Sequence, residues 1–335
     1  MPAAPGGPAF GLQVGHPART VGRVTTTVIG AGIAGIAAAS ALRDADRPVR
    51  VLDRGRRPGG RMAGRELHGR VVDLGASYLT ATAGTAFADV VADWVDRGVA
   101  REWTDTFAVA GPDGLTDRKT GPMRYGAAGG LRSLVVDLAR DLDLTSGRTV
   151  QQVGAGPVVD GEATDAVVLA LPDPQARRLL DPGSPTERVL DARGWQATLA
   201  VVLGWADRRW AADLHGVFVN DHPSLEWIAD DGDRRGDGAG VLVAHTTPAF
   251  AAGHLAEPAA AGPGVAAAVC ALLDLPEPAW THVHRWTFAK PADPRRAPFH
   301  LADGIGICGD GWSAPSKVES AWTSGHLLGQ ELARG

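Results

Sequence analysis

Arg23–Met62, RVTTTVIGAGIAGIAAASALRDADRPVRVLDRGRRPGGRM, decides the fold. Val24 to Ile29 is a β-branched run, the pattern of a buried strand. Gly30, Gly32 and Gly35 follow at once as G-x-G-x-x-G, and a helix opens with Ile33, Ile36, Ala37, Ser40 and Ala41 on one face. Val49 to Leu52 forms a second strand that ends in Asp53, 18 residues past Gly35. Together these make a complete β-α-β dinucleotide unit. The glycines allow a tight turn and close backbone approach, the helix N-terminus faces a pyrophosphate, and Asp53 accepts from ribose hydroxyls. Gly304, Gly306 and Gly309 repeat the spacing, but Asp310 to Pro315 intervene before any helix, so the second match reads as chance.

Beyond this unit the 335 residues suffice for two domains. A net charge of −5 and the lack of a basic run argue against nucleic acid as a partner. Arginine far outnumbers lysine, which occurs only at Lys119, Lys290 and Lys317. Cys270 falls in an apolar helical stretch and Cys308 in an apolar strand, so both read as buried, unpaired thiols of a reducing compartment, with no metal site. No apolar run is long enough to span a membrane, and a soluble, cytoplasmic chain is expected. Residues 1–22, rich in Pro, Gly and Ala without periodicity, read as a disordered leader.

At the other end stands GICGDGWSAPSKVESAWTSGHLLGQEL, Gly306 to Leu332. Ser316 and Glu319 have the spacing of a capping box, and Val318, Ala321, Trp322, Gly325, Leu328 and Leu332 line one apolar helix face. Between the ends, Phe87 to Arg97 and Gly130 to Leu142 read as helices, with irregular structure from there to residue 125 after the first. RTVQQV and DAVVLALP (148–153 and 165–172) read as strands returning to the nucleotide-binding unit. Residues 173–300 hold short alternating runs, WQATLAVVLGW, GVFVN, LEWIA, GVLVAHTT and HVHRWTF, the pattern of a mostly antiparallel sheet with a helix near Val265 to Leu273. Six of the ten tryptophans lie there, which suits a flat aromatic substrate weakly, since core packing is the commoner use of Trp.

A set of collinear segments resembles the renalase family, a branch of the FAD-dependent amine-oxidase superfamily. They are GGRM (59–62), DLGASYLTA (73–81), VNDHPSLEWIAD (219–230), AHTT (244–247), HRWTFAKPA (284–292) and CGDGWSAPSKVESAWTSG (308–325). The resemblance implies an α/β fold: a Rossmann-like FAD-binding domain of the glutathione-reductase-2/amine-oxidase type, built from 23–78, 130–172 and 301–335, and a mixed, mostly antiparallel substrate domain from 79–129 and 173–300. It also implies non-covalent FAD. The cofactor would lie on Gly30, Gly32, Ile33, Ala34 and Gly35, on Asp53 and Arg54, and on Gly60, Arg61 and Met62. Ser77 and Tyr78 would follow, Val150 would offer its backbone to the adenine, and Asp310 would bond the ribityl chain. Lys317 and Val318 would open the last helix toward the flavin pyrimidine, where a positive helix end favours an anionic reduced flavin.

The activity implied is oxidation of 2- and 6-dihydro isomers of NAD(P)H, with O2 as acceptor and H2O2 as product. Aromatisation drives that reaction, so the chain need only stack and orient the ring. Tyr78, His245 and Trp286 are the candidates, although Tyr78 and Trp286 could serve as plain core and a strand histidine is usually structural. Three departures bear on the substrate. Ser77 stands where relatives carry Gln, Asp230-Asp231-Gly232 where they show Asn, and Phe288 and Lys290 in place of the usual Tyr and Arg. Two carboxamide partners of a nicotinamide are therefore expected to be missing. The alternative is a flavin amine oxidase, against which ATLAVVLGW offers no lysine and the chain only Tyr78 and Tyr125 for a cage; a non-catalytic flavoprotein is the third class.

Overall fold

The computed structural model describes residues 25–190 and 194–335. The stretch read as a leader lies outside the described residues, as does Val24. The fingerprint folds into the strand Thr26–Ile29, the helix Ile33–Asp44 and the strand Val49–Asp53. Thr26–Ile29 is central because it pairs in parallel on both edges, with Val167–Leu169 and with Val49–Asp53. The six-stranded sheet runs His300–Ala302, Ile305–Ile307, Val167–Leu169, Thr26–Ile29, Val49–Asp53, Asp143–Ser146, all parallel except the antiparallel first pair. Covered on both faces, its two central strands, TTVI and VVL, are buried at every position rather than alternating. The last helix, Val318–Arg334, crosses the first at glycine contacts, where a Cβ on Gly325 would lie 1.9 Å from the Ala34 carbonyl oxygen.

RTVQQV is not the returning strand. Asp143–Ser146 takes that place beside Val49–Asp53, and of the expected run only Val153 enters a strand, Val153–Gly154 of a small three-stranded sheet. The Asp160 carboxylate accepts from the Gln151 and Gln152 amides at 2.8 and 3.0 Å, so those donors are committed to a turn. Asp143–Ser146 is mostly exposed and lacks an apolar signal.

The second sheet has seven strands in the order Trp280–Pro291, Trp195–Gly204, Val241–Thr246, Leu225–Asp230, Gly216–Val219, Arg101–Gly111, Gly114–Gly126. Its pairings are antiparallel except for Gly216–Val219 beside Arg101–Gly111. The last two strands form a long hairpin where irregular structure was expected. Period-two alternation divides the sheet's faces. Leu199, Val201, Leu203, Ile228 and Leu242 pack on the helices Pro248–Ala252 and Gly262–Leu273. Ala200, Val202 and Val243 turn the other way, onto Val72 and Leu74 of the segment following the nucleotide-binding unit.

Candidate functional site

Loops of the parallel sheet converge on Gly32. Gly30 has φ +108°, and a Cβ on Gly35 would lie 1.9 Å from the Gly30 carbonyl oxygen, so both positions require glycine. A Cβ on Gly60 would meet the Gly32 Cα at 3.0 Å, whereas one on Gly32 meets nothing nearer than 3.9 Å. The two loops thus present bare backbone to each other and to the cleft, a cradle that side chains would fill. Gly32 is also the N-cap of the first helix and supplies no side-chain cap; the first intrahelical bond is Ile36 N–H to Gly32 O, leaving the Ile33, Ala34 and Gly35 amides outside the helix ladder. Asp53 accepts from Ala31 N–H and Gly55 N–H, each at 2.6 Å, one on each oxygen. Each oxygen keeps a further lone pair for a hydroxyl donor. Val150 is buried against the same strand ends as Ile29 and Leu52, while Arg54 projects into solvent.

Arg61 ties this cradle to the chain's end. Its guanidinium is bidentate on Asp310 and donates to the Ala289 carbonyl at 2.9 Å; Ser316 Oγ donates to the same carboxylate at 2.6 Å. Burial alone would raise the Asp310 pKa, but Arg61 and the Ser316 hydroxyl hold it below the usual carboxylate range. A ribityl hydroxyl would share that carboxylate with both. Met62 is buried in the main core beneath Arg61, whose carbonyl accepts from Ala76 N–H at 2.9 Å.

The capping box expected at Ser316 and Glu319 does not form. Ser316 is spent on Asp310, and Glu319 accepts from Thr82 N–H, the Thr82 and Thr85 hydroxyls and Lys317 Nζ. Lys317 is the N-cap without a side-chain cap, and the first ladder bond is Ala321 N–H to Lys317 O. The amides of Val318, Glu319 and Ser320 therefore open a second helix end outside its ladder. Two such positive ends, a glycine cradle and an ionised Asp310 suit the phosphates, ribityl chain and pyrimidine edge of FAD.

The third group of residues lines the inner face of the seven-stranded sheet. Trp286 Nε1–H donates to the Leu74 carbonyl at 2.7 Å, and His245 Nε2 lies 3.3 Å from the same oxygen. Burial pushes the His245 pKa down to about 4, helped by the positive charges of Arg234 and Lys290, so the ring is neutral at neutral pH. Tyr78 packs against Trp227, Phe107 and Trp103, with centroids 5.7, 5.3 and 6.3 Å away. Ser77 is buried, its hydroxyl accepting from Trp227 Nε1–H at 3.0 Å. The fold thus gathers Ser77, Tyr78, His245 and Trp286 around the segment 74–78. Of the six tryptophans in 173–300, Trp227 and Trp286 reach this segment, while Trp205 and Trp210 pack together elsewhere.

Two expectations need correction. Asp231 faces no cavity: it is fully buried, paired with Arg70 and Arg234, and accepts from Asp73 N–H. Cys270 is half-exposed, its thiol donating to the Pro276 carbonyl, whereas Cys308 is buried and its thiol is pushed up to about 12. Sequence reasoning missed the aromatic floor of Phe107 and Trp103, the Arg61–Asp310 pair and a Glu226–Lys290 ion pair at 2.9 Å. Among the described residues no cluster suits a metal, and no helix is long and apolar enough to cross a membrane.

Residues 28–94 match the family model of an NAD(P)-binding Rossmann-like domain. The chain is also similar to solved structures over 93% of its length. One is a protein assigned provisionally as a protoporphyrinogen oxidase from Exiguobacterium sp. 255-15, with 14% identity, TM-score 0.74 and 99% of that chain covered. Another is putrescine oxidase in complex with putrescine, with 15% identity, TM-score 0.69 and 98% of that chain covered. The fold is theirs. It is a Rossmann-like α/β layer joined to a large, mostly antiparallel sheet, in the arrangement of those oxidases.

Proposed function

We propose that this chain is a renalase-like FAD-dependent oxidoreductase that oxidises a reduced nicotinamide isomer, a 2- or 6-dihydro form of NAD(P), with O2 as acceptor. In this reading 23–78, 130–172 and 301–335 form the FAD-binding domain, and 79–129 with 173–300 the substrate domain. FAD, when bound, supplies a two-electron acceptor that O2 regenerates with release of H2O2. The chain holds it non-covalently through the Gly32–Gly60 cradle, Asp53, the Arg61–Asp310 pair and the two open helix ends. Neither a buried thiol with its pKa near 12 nor one bonded to Pro276 makes a ready attachment nucleophile. The free thiols also favour a reducing compartment.

The observation that carries the reading is the fixing of Trp286 and neutral His245 on one carbonyl, Leu74, three and four residues before Ser77 and Tyr78. Those side chains can stack on and orient a flat ring, while aromatisation of the substrate removes the need for a strong base. Amine oxidation is the second reading, favoured by similarity to putrescine oxidase and by Lys290, which reaches this face although the strand Trp195–Gly204 carries no lysine. Anaerobic mixing of the yellow protein with 2- and 6-dihydronicotinamide dinucleotides, and separately with putrescine, decides between them. Flavin bleaching by the dinucleotides is expected; fast bleaching by putrescine alone would reverse the assignment.

A further inference from the structure

Glu226 and Lys290 stand at two strand irregularities on the same end of the sheet. Leu225 pairs with Thr246 and Trp227 with His245, so Glu226 is an extra residue opposite the His245–Thr246 step. On the edge strand, Lys290 pairs with Gln196 and Trp286 with Thr198, which leaves residues 287–289 opposite Ala197 alone. Bulges re-aim side chains, and these aim a carboxylate and an ammonium at each other across the strands that carry Thr198 and His245. The pair closes at 2.9 Å, arching over the end of the face that holds His245 and Trp286. The same bulge presents the Ala289 carbonyl to Arg61, so Lys290 adjoins the loop that fixes Asp310. With side chains 45% and 34% exposed, Lys290 and Glu226 form the kind of pair that contributes little stability and exchanges partners readily.

We infer that Lys290 is the anion subsite of this sheet face, taking a phosphate carried by the aromatic substrate, and that Glu226 screens it until that phosphate arrives. This rests on the reading of the His245–Trp286 face as a nicotinamide site and adds to it the part of the substrate beyond the ring. The surrounding charges agree: Arg234 lies behind His245 and is itself committed to Asp231 and to the carbonyls of Asp73 and Ser77. Lys290 is the cation on this face whose partner is half-exposed and exchangeable.

Calorimetric titration of the flavin-loaded protein with nicotinamide mononucleotide and with nicotinamide riboside tests the subsite without turnover. One charge-assisted hydrogen bond should make the mononucleotide bind about ten- to a hundredfold more tightly. Lys290→Met should erase that preference while leaving riboside affinity in place, and Glu226→Gln should enlarge it. A wild-type protein that binds both equally or binds neither, or a Lys290→Met variant that keeps the preference, overturns the assignment. If the preference stands while dihydronicotinamides fail to bleach the flavin, the proposed reaction falls and the phosphate subsite remains.

Discussion

Asp231 sits between the guanidinium groups of Arg70 and Arg234, and its Oδ1 also accepts from Asp73 N–H at 3.3 Å. By sequence position it stands where a nicotinamide partner was expected, and by burial it is a structural anion. An asparagine there would strand Arg234 without its counter-charge and leave Arg70 with Asp237 alone. Asp231→Asn is therefore expected to cost about 3–5 kcal/mol of stability, as breaking a buried pair does. Urea denaturation should show the loss, while any folded fraction keeps its substrate affinity. A variant of unchanged stability but altered affinity would return Asp231 to the pocket. Ser77 shares the lesson in part, because its hydroxyl is already held by Trp227 and a glutamine there would have to displace the indole contact.

Among the elements, the last helix best separates stability from binding. Its N-cap is Lys317, a residue that cannot accept from the first-turn amides. Lys317→Ser should supply such an acceptor, worth about 0.5–2 kcal/mol, against loss of the half-exposed Lys317–Glu319 pair, worth about 0–1 kcal/mol, so the flavin-free protein should be stabilised slightly. The same hydroxyl would occupy amides assigned here to the cofactor, so FAD should bind more weakly. Thermal melts of the flavin-free protein and fluorescence titration with FAD check both halves; tighter FAD binding would show that this helix end does not serve the flavin. The sequence signalled a capping box here because S-x-x-E spacing is local, whereas Ser316 is taken by Asp310 in the preceding turn and Glu319 by Thr82, 237 residues away. Elements with their own periodicity were legible: the β-α-β unit and the runs at 195–204 and 241–246 appear as read. The hairpin Arg101–Gly126 was not, since Gly114–Gly126 is a largely exposed edge with an unbroken polar run from Thr116 to Thr120. Its one clear sign was the turn Gly111-Pro112-Asp113-Gly114. Ion pairs such as Arg61–Asp310 join residues 249 apart and leave no pattern in a single sequence.

On the scale of the molecule, the two sheets meet at the segment 73–78, and polar bonds rather than apolar contacts alone fix that junction. Arg234, on the short helix Asp231–Arg235 of the antiparallel sheet's side, donates to the Ser77 carbonyl at 2.9 Å and the Asp73 carbonyl at 3.1 Å. Trp227, Trp286 and His245 reach the same segment from their strands, and Arg61 returns the contact to Ala289. With so many groups shared, the sheets should unfold together, and tryptophan emission and flavin release should report one midpoint. Arg234→Met tests that coupling, because it removes the donor to both carbonyls and leaves Asp231 with Arg70 as its remaining cation. A loss of about 3–5 kcal/mol, spread over the unfolding entropy of a chain this long, corresponds to a fall of roughly 4–7 °C. Flavin release should fall further than the tryptophan transition, since 73–78 carries Ser77 and Tyr78 at the proposed cofactor edge. Coincident midpoints that do not move would mean that Arg234 merely fills space and that the sheets are held by their apolar faces.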